Sequence, residues 1–135
     1  MAPFTHAQIT FNPALAVITW DWDPASGTWK RGQNRTPDVD LAGRQAAAKN
    51  VIIQFVNYHN VAGIKDPSGA PVPEGTLTGT GEAWLLTGGQ IIKGTWSKPS
   101  KSTVTTYTDS AGAPFQLTPG QTWVELAPVG TATGQ

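Results

Sequence analysis

The chain has 135 residues, nine acidic and nine basic side chains for a formal net charge of zero, and no cysteine. Balanced charge without a Lys/Arg cluster argues against nucleic acid as a partner, and the missing thiols exclude disulfides, thiol catalysis and cysteine-based zinc sites. Hydrophobic residues make up 39% and charged residues only 13%, with six tryptophans, 15 glycines and 11 prolines, which points to one folded domain of short strands and tight turns rather than a disordered chain.

In chain order, 7–12 is a short candidate strand with Ile9 and Phe11 on one face. Residues 14–23 alternate more clearly: Ala16, Ile18, Trp20 and Trp22 share one face against Val17, Thr19, Asp21 and Asp23. Asp23-Pro24-Ala25-Ser26-Gly27 reads as a turn, with Pro24 presetting φ and Asp23 placed to accept backbone hydrogen bonds. The strand 28–31 returns from it, followed by a polar loop over 32–40. Residues 41–49 are the one helix-favouring run, too short to stand alone and expected as a single turn or irregular segment.

Residues 50–58 form the best central strand, apolar on both faces and so expected to be covered on both sides. A long Gly/Pro-rich connection, 59–75, leads to a hairpin of 76–86 and 90–97 about Gly88-Gly89, a pair suited to a primed turn. That turn predicts the register: Leu85 faces Ile92, Ala83 faces Gly94, Trp84 faces Lys93, and Gly81 faces Trp96, whose ring would lie over bare glycine backbone. Strands at 103–108, 113–117 and 121–126 complete the pattern, with a type II turn at Thr118-Pro119-Gly120-Gln121. The core is expected over about 7–128, with 129–135 a frayed tail. The whole is an all-β domain, an antiparallel sandwich or partly open barrel of about eight or nine strands.

No self-contained catalytic constellation is present. Only His6 and His59 can act as imidazole bases, and no Gly-x-Ser-x-Gly elbow or Ser-x-x-Lys motif occurs. Two carboxylate pairs, Asp21/Asp23 and Asp38/Asp40, have spacings open to calcium or acid–base work. Turn formation and solvation account for them more simply, and neither pair supplies enough oxygen ligands for calcium. No metal or other cofactor is expected. Asn34-Arg35-Thr36 matches a glycosylation sequon, a three-residue pattern of little weight. The tryptophan excess suggests rings that stack on a sugar. Trp29 and Trp84 are the outward candidates, because each neighbours polar residues on its expected face, with a Lys93–Trp84 cation–π contact expected.

Five blocks in order, Trp20-Asp21-Trp22-Asp23 with Gly27-Thr28-Trp29-Lys30-Arg31, Asn50-Val51-Ile52-Ile53-Gln54, Gly79-Thr80-Gly81-Glu82-Ala83-Trp84, Lys93-Gly94-Thr95-Trp96-Ser97-Lys98 and Leu117-Thr118-Pro119-Gly120-Gln121-Thr122-Trp123, resemble the C-terminal domain of YerB-like bacterial lipoproteins. The resemblance covers roughly 7–128. It implies a lipid-anchored parent protein in the cell envelope, outside the cytoplasmic membrane, with a larger N-terminal domain that this chain lacks. The family's function is unknown, so it lends no catalytic residues. Polar or aromatic residues within the shared blocks are Arg31, Asn50, Trp96 and Lys98; Asn50 can equally cap a strand, Arg31 can pair with Asp21 or Asp23, and Lys98 can be a solvated turn residue.

The expected function is a non-catalytic binding or interaction module of an exported envelope protein. Its partner would be a cell-wall glycan, a peptide or an envelope protein, and the membrane would be reached only through the parent's lipid anchor. The expected ligand residues are Trp29, Arg31, Trp84 and Lys98, acting by aromatic stacking or strand-edge pairing. The alternatives are one wall of a cell-wall hydrolase, completed by the missing N-terminal domain, and a spacer without a ligand.

Overall fold

The computed structural model describes residues 2–12 and 16–135. Residues 14 and 15, the expected start of the second strand, lie outside the described residues. Two sheets pack face to face. The first holds β1 (His6–Asn12), β2 (Ala16–Asp23), β3 (Thr28–Gln33), β4 (Thr36–Pro37), β5 (Ala47–Ala48) and β13 (Ala132–Gly134), in the order β13-β1-β2-β3-β4, with β5 also on β3. The second holds β6 (Asn50–Val56), β9 (Gly79–Thr87), β10 (Gln90–Lys98), β11 (Thr106–Asp109) and β12 (Thr122–Pro128), in the order β11-β10-β9-β6-β12. A separate ribbon pairs β7 (Tyr58–Lys65) with β8 (Pro71–Gly75). The sandwich is all-β. Every pairing is antiparallel except β6 with β12, which run parallel.

The core follows from alternation. Ala7, Ile9, Ile18, Trp20 and Trp29 point inward from the first sheet and meet Val51, Ile53, Phe55, Trp84, Leu86 and Ala127 from the second. Phe55 and Trp84 meet edge to face at 5.0 Å. Strand β6 is buried along its whole length, as its two apolar faces require. Its outer face, with Ala83 and Trp96 beside it, is covered by Tyr107 and Phe115, stacked at 6.0 Å, and Tyr107 donates its hydroxyl to Gln54 Oε1 at 2.6 Å. Burial raises the Tyr107 hydroxyl's pKa accordingly.

The β9–β10 hairpin has the register that its turn dictates. Gly88 and Gly89 take φ of 57° and 74°, and Leu85 pairs Ile92, Ala83 pairs Gly94, Trp84 pairs Lys93 and Gly81 pairs Trp96. The Trp96 ring does lie on Gly81: a Cβ there would sit 2.5 Å from Trp96 Nε1, which donates to the Phe55 carbonyl at 2.8 Å. Lys93 Nζ stands 4.6 Å from the centre of the Trp84 ring.

Asn50 clips the outer cover onto this sheet. The side chain is fully buried, and its amide meets Thr118 as a strand neighbour would. Oδ1 accepts from Thr118 N–H at 2.8 Å, and Nδ2 donates to the Thr118 carbonyl at 2.7 Å. Thr87 Oγ1 donates to the same Oδ1 at 2.9 Å, and Nδ2 also reaches Thr122 Oγ1 at 3.2 Å. All four hydrogen-bonding positions of the amide are thereby used.

Other expectations shift. The 59–75 connection is the β7–β8 ribbon, and 41–49 carries a turn and the two residues of β5 rather than a helical turn. The tail is not frayed: β13 pairs with β1, matching Ala7 with Gly134 and Ile9 with Ala132. Gly134 seats against Phe4 and the His6 carbonyl, where a side chain would not fit, and Gln135 N–H donates to that carbonyl at 2.9 Å. Among the described residues thirteen strand segments stand where eight or nine were expected, because short pairings such as β4, β5 and β13 carry too little alternation to register in sequence. Asn34 lies in the tight β3–β4 turn with φ of 51°, and its side-chain oxygen accepts from Val17 N–H at 2.8 Å.

Replacing Asn50 by Ala removes the amide that pairs the Thr118 N–H and carbonyl and the Thr87 hydroxyl, and the expected loss is about 2 kcal/mol in urea denaturation. In the β2–β3 turn, Asp23 accepts from Ser26 Oγ at 2.7 Å and Ala25 N–H at 3.2 Å. The Ser26 hydroxyl, followed by Lys30 and Ala25, holds this carboxyl below the usual Asp value. A depressed folded-state pKa makes this contribution complete above the ordinary carboxylate value and lost as pH falls through the lower one. Ser26→Ala should raise the Asp23 midpoint in an NMR titration; an unmoved midpoint would refute the assigned cause.

Candidate functional site

At the rim of the sandwich, where β12 begins, a groove of about 590 Å³ opens between the two sheets. One wall is the small excursion between β4 and β5, with Asp38, Asp40, Arg44 and Gln45; the other is Gln121 and Trp123. A recess of about 190 Å³ lined by Ala48, Gln121, Thr122 and Trp123 adjoins it. Trp123 is 36% exposed, the most open of the large inward-facing side chains of β12. Its ring meets Trp20 edge to face at 5.4 Å and carries the Arg31 guanidinium 5.2 Å from its centre.

Beneath the ring lies an ion cluster that joins the sheets. Arg31, on β3, is 13% exposed at its side chain and Glu125, on β12, only 5%. Arg31 Nε donates to Glu125 Oε1 at 3.2 Å, and Nη1 donates to Asp38 Oδ2 at 2.7 Å. Trp123 Nε1 donates to the same Glu125 Oε1 at 2.7 Å. Gln45 Nε2 holds the Arg31 carbonyl at 2.8 Å, so the excursion is tied to the strand that supplies the guanidinium. Asp40 shapes the excursion by accepting from Ala42 N–H and Arg44 N–H, each at 2.9 Å, and pairs with Arg44 Nε at 3.2 Å.

Two carboxylates thus share one guanidinium, and the groove presents a planar aromatic surface flanked by charged and amide side chains. Such a surface can orient a polar ligand. Among the described residues no group of three or more His, Cys, Asp or Glu side chains could hold a metal ion.

The expected ligand residues do not converge. Trp29 is fully buried in the inter-sheet core, packed on Trp22 at 5.3 Å. Trp84 is 9% exposed, with Lys93 over its ring and its Nε1 donating to Glu82 at 3.2 Å. Neither offers an open face, because the second sheet covers the Trp29 side of β3 and the first sheet covers the Trp84 side of β9. Arg31 is at the groove, although it pairs with Asp38 and Glu125 and not with Asp21 or Asp23. Those two bind His6 at 2.6 Å and Lys30 at 3.4 Å instead. Lys98 is elsewhere: it donates to the carbonyls of Lys101 and Thr103 and lines a separate recess of about 410 Å³ with His59 and Glu74. The residues missed are Trp123 and Glu125. Their signal was Glu125 itself, an acid on the same inward-alternating face as Trp123 and Ala127, which needs a buried cation.

Residues 7–124 match the model of a family described as a protein of unknown function (DUF3048), C-terminal domain. The chain belongs to this family. No curated protein matches it. Among solved structures, the YerB protein from Bacillus subtilis is similar in fold, with a TM-score of 0.77 at 17% identity, over 100% of this chain and 45% of that one. The DUF3048 C-terminal domain described here therefore spans less than half the length of that relative.

The ion cluster makes a prediction about stability. Arg31→Met leaves the Glu125 carboxylate buried without its cation, and the expected cost is about 3 kcal/mol by chemical denaturation. The double change Arg31→Met with Glu125→Gln keeps an acceptor for Trp123 and should recover most of that loss. Equal stability of the single and double variants would show that the pair is not coupled.

Proposed function

We propose that this domain is a non-catalytic binding module of an exported, lipid-anchored envelope protein, and that its ligand enters the Trp123 groove. The observation that carries the reading is an indole held half-open over a buried ion cluster, beside a groove large enough for a small polar ligand. The indole offers an apolar ring to stack on a ligand and stands beside the charged and amide side chains that would orient it. The groove's charged side chains already serve the fold: Asp38 and Glu125 hold Arg31, and Asp40 holds Arg44 and two backbone amides. That favours binding over the hydrolase-wall alternative, in which a carboxylate must be available to the substrate. The envelope setting is what the resemblance of the sequence blocks to YerB-like lipoproteins implies.

The test follows the six indole N–H signals during NMR titration with soluble cell-wall fragments. Saturable shifts centred on Trp123, lost in a folded Trp123→Ala variant, are the expected result. Trp29→Ala should instead cost about 3 kcal/mol or more of stability, as a large core truncation. Shifts centred on Trp84 with Trp123 unmoved would place the site elsewhere. Cell fractionation of the parent protein tests the location, and recovery from the cytosol alone would refute it.

A further inference from the structure

We infer that the ligand of this groove is an extended peptide that adds a strand to the open edge of β12 and sends a basic side chain inward over Trp123. The inference rests on the binding-groove reading above and names its partner class. Asn50 N–H donates to the Gln121 carbonyl at 3.1 Å, and Trp123 lies opposite Val51 in the parallel pair. Backbone groups alternate sides along a strand. Gln121, Trp123 and Glu125 therefore turn theirs toward β6, and Thr122 and Val124 turn theirs outward. No strand is paired on that outer side among the described residues.

The other edges are blunted in ways that hinder strand addition. Strand β13 has three residues, β4 and β5 have two each, and β11 is bridged by the returning chain at Pro114. The ribbon's β8 carries Pro71 and Pro73, and β7 is bulged between Asn60 and Lys65. By contrast β12 runs seven residues with a regular register, no lysine, no proline before Pro128, and exposed Trp123 and Val124. Its outward Leu126 carbonyl accepts from the Tyr58 hydroxyl at 2.7 Å, so strand addition is confined to the stretch about Thr122 and Val124. A strand added there continues the second sheet. Its alternate side chains would then point the way Trp123, Glu125 and Ala127 do, into the groove. Main-chain hydrogen bonds give such a complex its affinity, and the pocket for alternate side chains gives its specificity. Three carboxylates, Asp38, Asp40 and Glu125, stand against two guanidiniums, Arg31 and Arg44, so the groove keeps one uncompensated negative charge that a Lys or Arg complements.

The probe is the peptide acetyl-Val-Lys-Val-Lys-Val-amide, titrated into the full 135-residue chain. The amide signals of Thr122 and Val124 and the Trp123 indole should shift together, and the two amides should gain protection from hydrogen exchange. The glutamate analogue should bind about tenfold more weakly. N-methylation of one alternate set of peptide nitrogens should abolish binding, and methylation of the other set should leave it. Val124→Pro should stay folded, because a proline is tolerated where the N–H faces outward, and should weaken binding by about tenfold. The inference is overturned if both methylated peptides bind alike, or if Val124→Pro unfolds the domain. Shifts with a chitooligosaccharide but not the peptide overturn it and leave the groove reading standing. Silence with both probes ends both readings. Association of the chain with itself through β12, abolished by Val124→Pro, would make the occupant a second copy and overturn the peptide assignment.

Discussion

One buried amide, that of Asn50, holds the arrangement together. Strand β6 of the second sheet is buried on both faces, so something must cover its outer side. The cover is a stretch of irregular chain with backbone groups that also need partners. Asn50 meets that need from within the sheet, giving Thr118 both an acceptor and a donor. It also sits at the start of β6, beside Thr122 at the start of β12. The same side chain therefore anchors the cover and positions the last strand in register. From that register follow the placements of Trp123 and Glu125, and from Glu125 the tilt of Arg31 across the gap between the sheets.

The hairpin register was legible because two glycines fix the turn and a period of two then assigns every face. Central burial of 50–56 was legible from its two apolar faces. The exposure of individual tryptophans was not. Trp29 and Trp84 have polar sequence neighbours, yet the opposing sheet covers them, and sequence neighbours say nothing about what packs on a face from far along the chain. Trp123 was passed over because its openness depends on a parallel pairing with a strand 72 positions away at Asn50 and Thr122. No turn links those strands, so no turn signal announced them. The tail was misjudged for a related reason: three residues of β13 hold their place through Phe4 and His6, not through any pattern of their own.

The site shows the same division. Arg31 was recognised as polar chemistry within a shared block, but its partners lie on other elements, Asp38 on the excursion and Glu125 on β12. Local reasoning offered Asp21 and Asp23, which are nearer in sequence and are taken up by His6 and Lys30. Lys98 ends β10, and the loop that follows wraps its ammonium in carbonyl oxygens, a structural task unconnected to the groove.

The parallel pairing of β6 with β12 has a kinetic side. As the chain is synthesised, the β9–β10 hairpin can form early, since its contacts are local, and β6 can then pair with β9. Asn50 then waits, with only Thr87 among its partners in place, until the chain has reached Thr118 and Thr122. Closing a loop of that length carries an entropic cost before any contact rewards it. The second sheet thus spends part of its folding with its β6 edge open, and a foreign strand arriving in that interval would compete for the place that β12 takes.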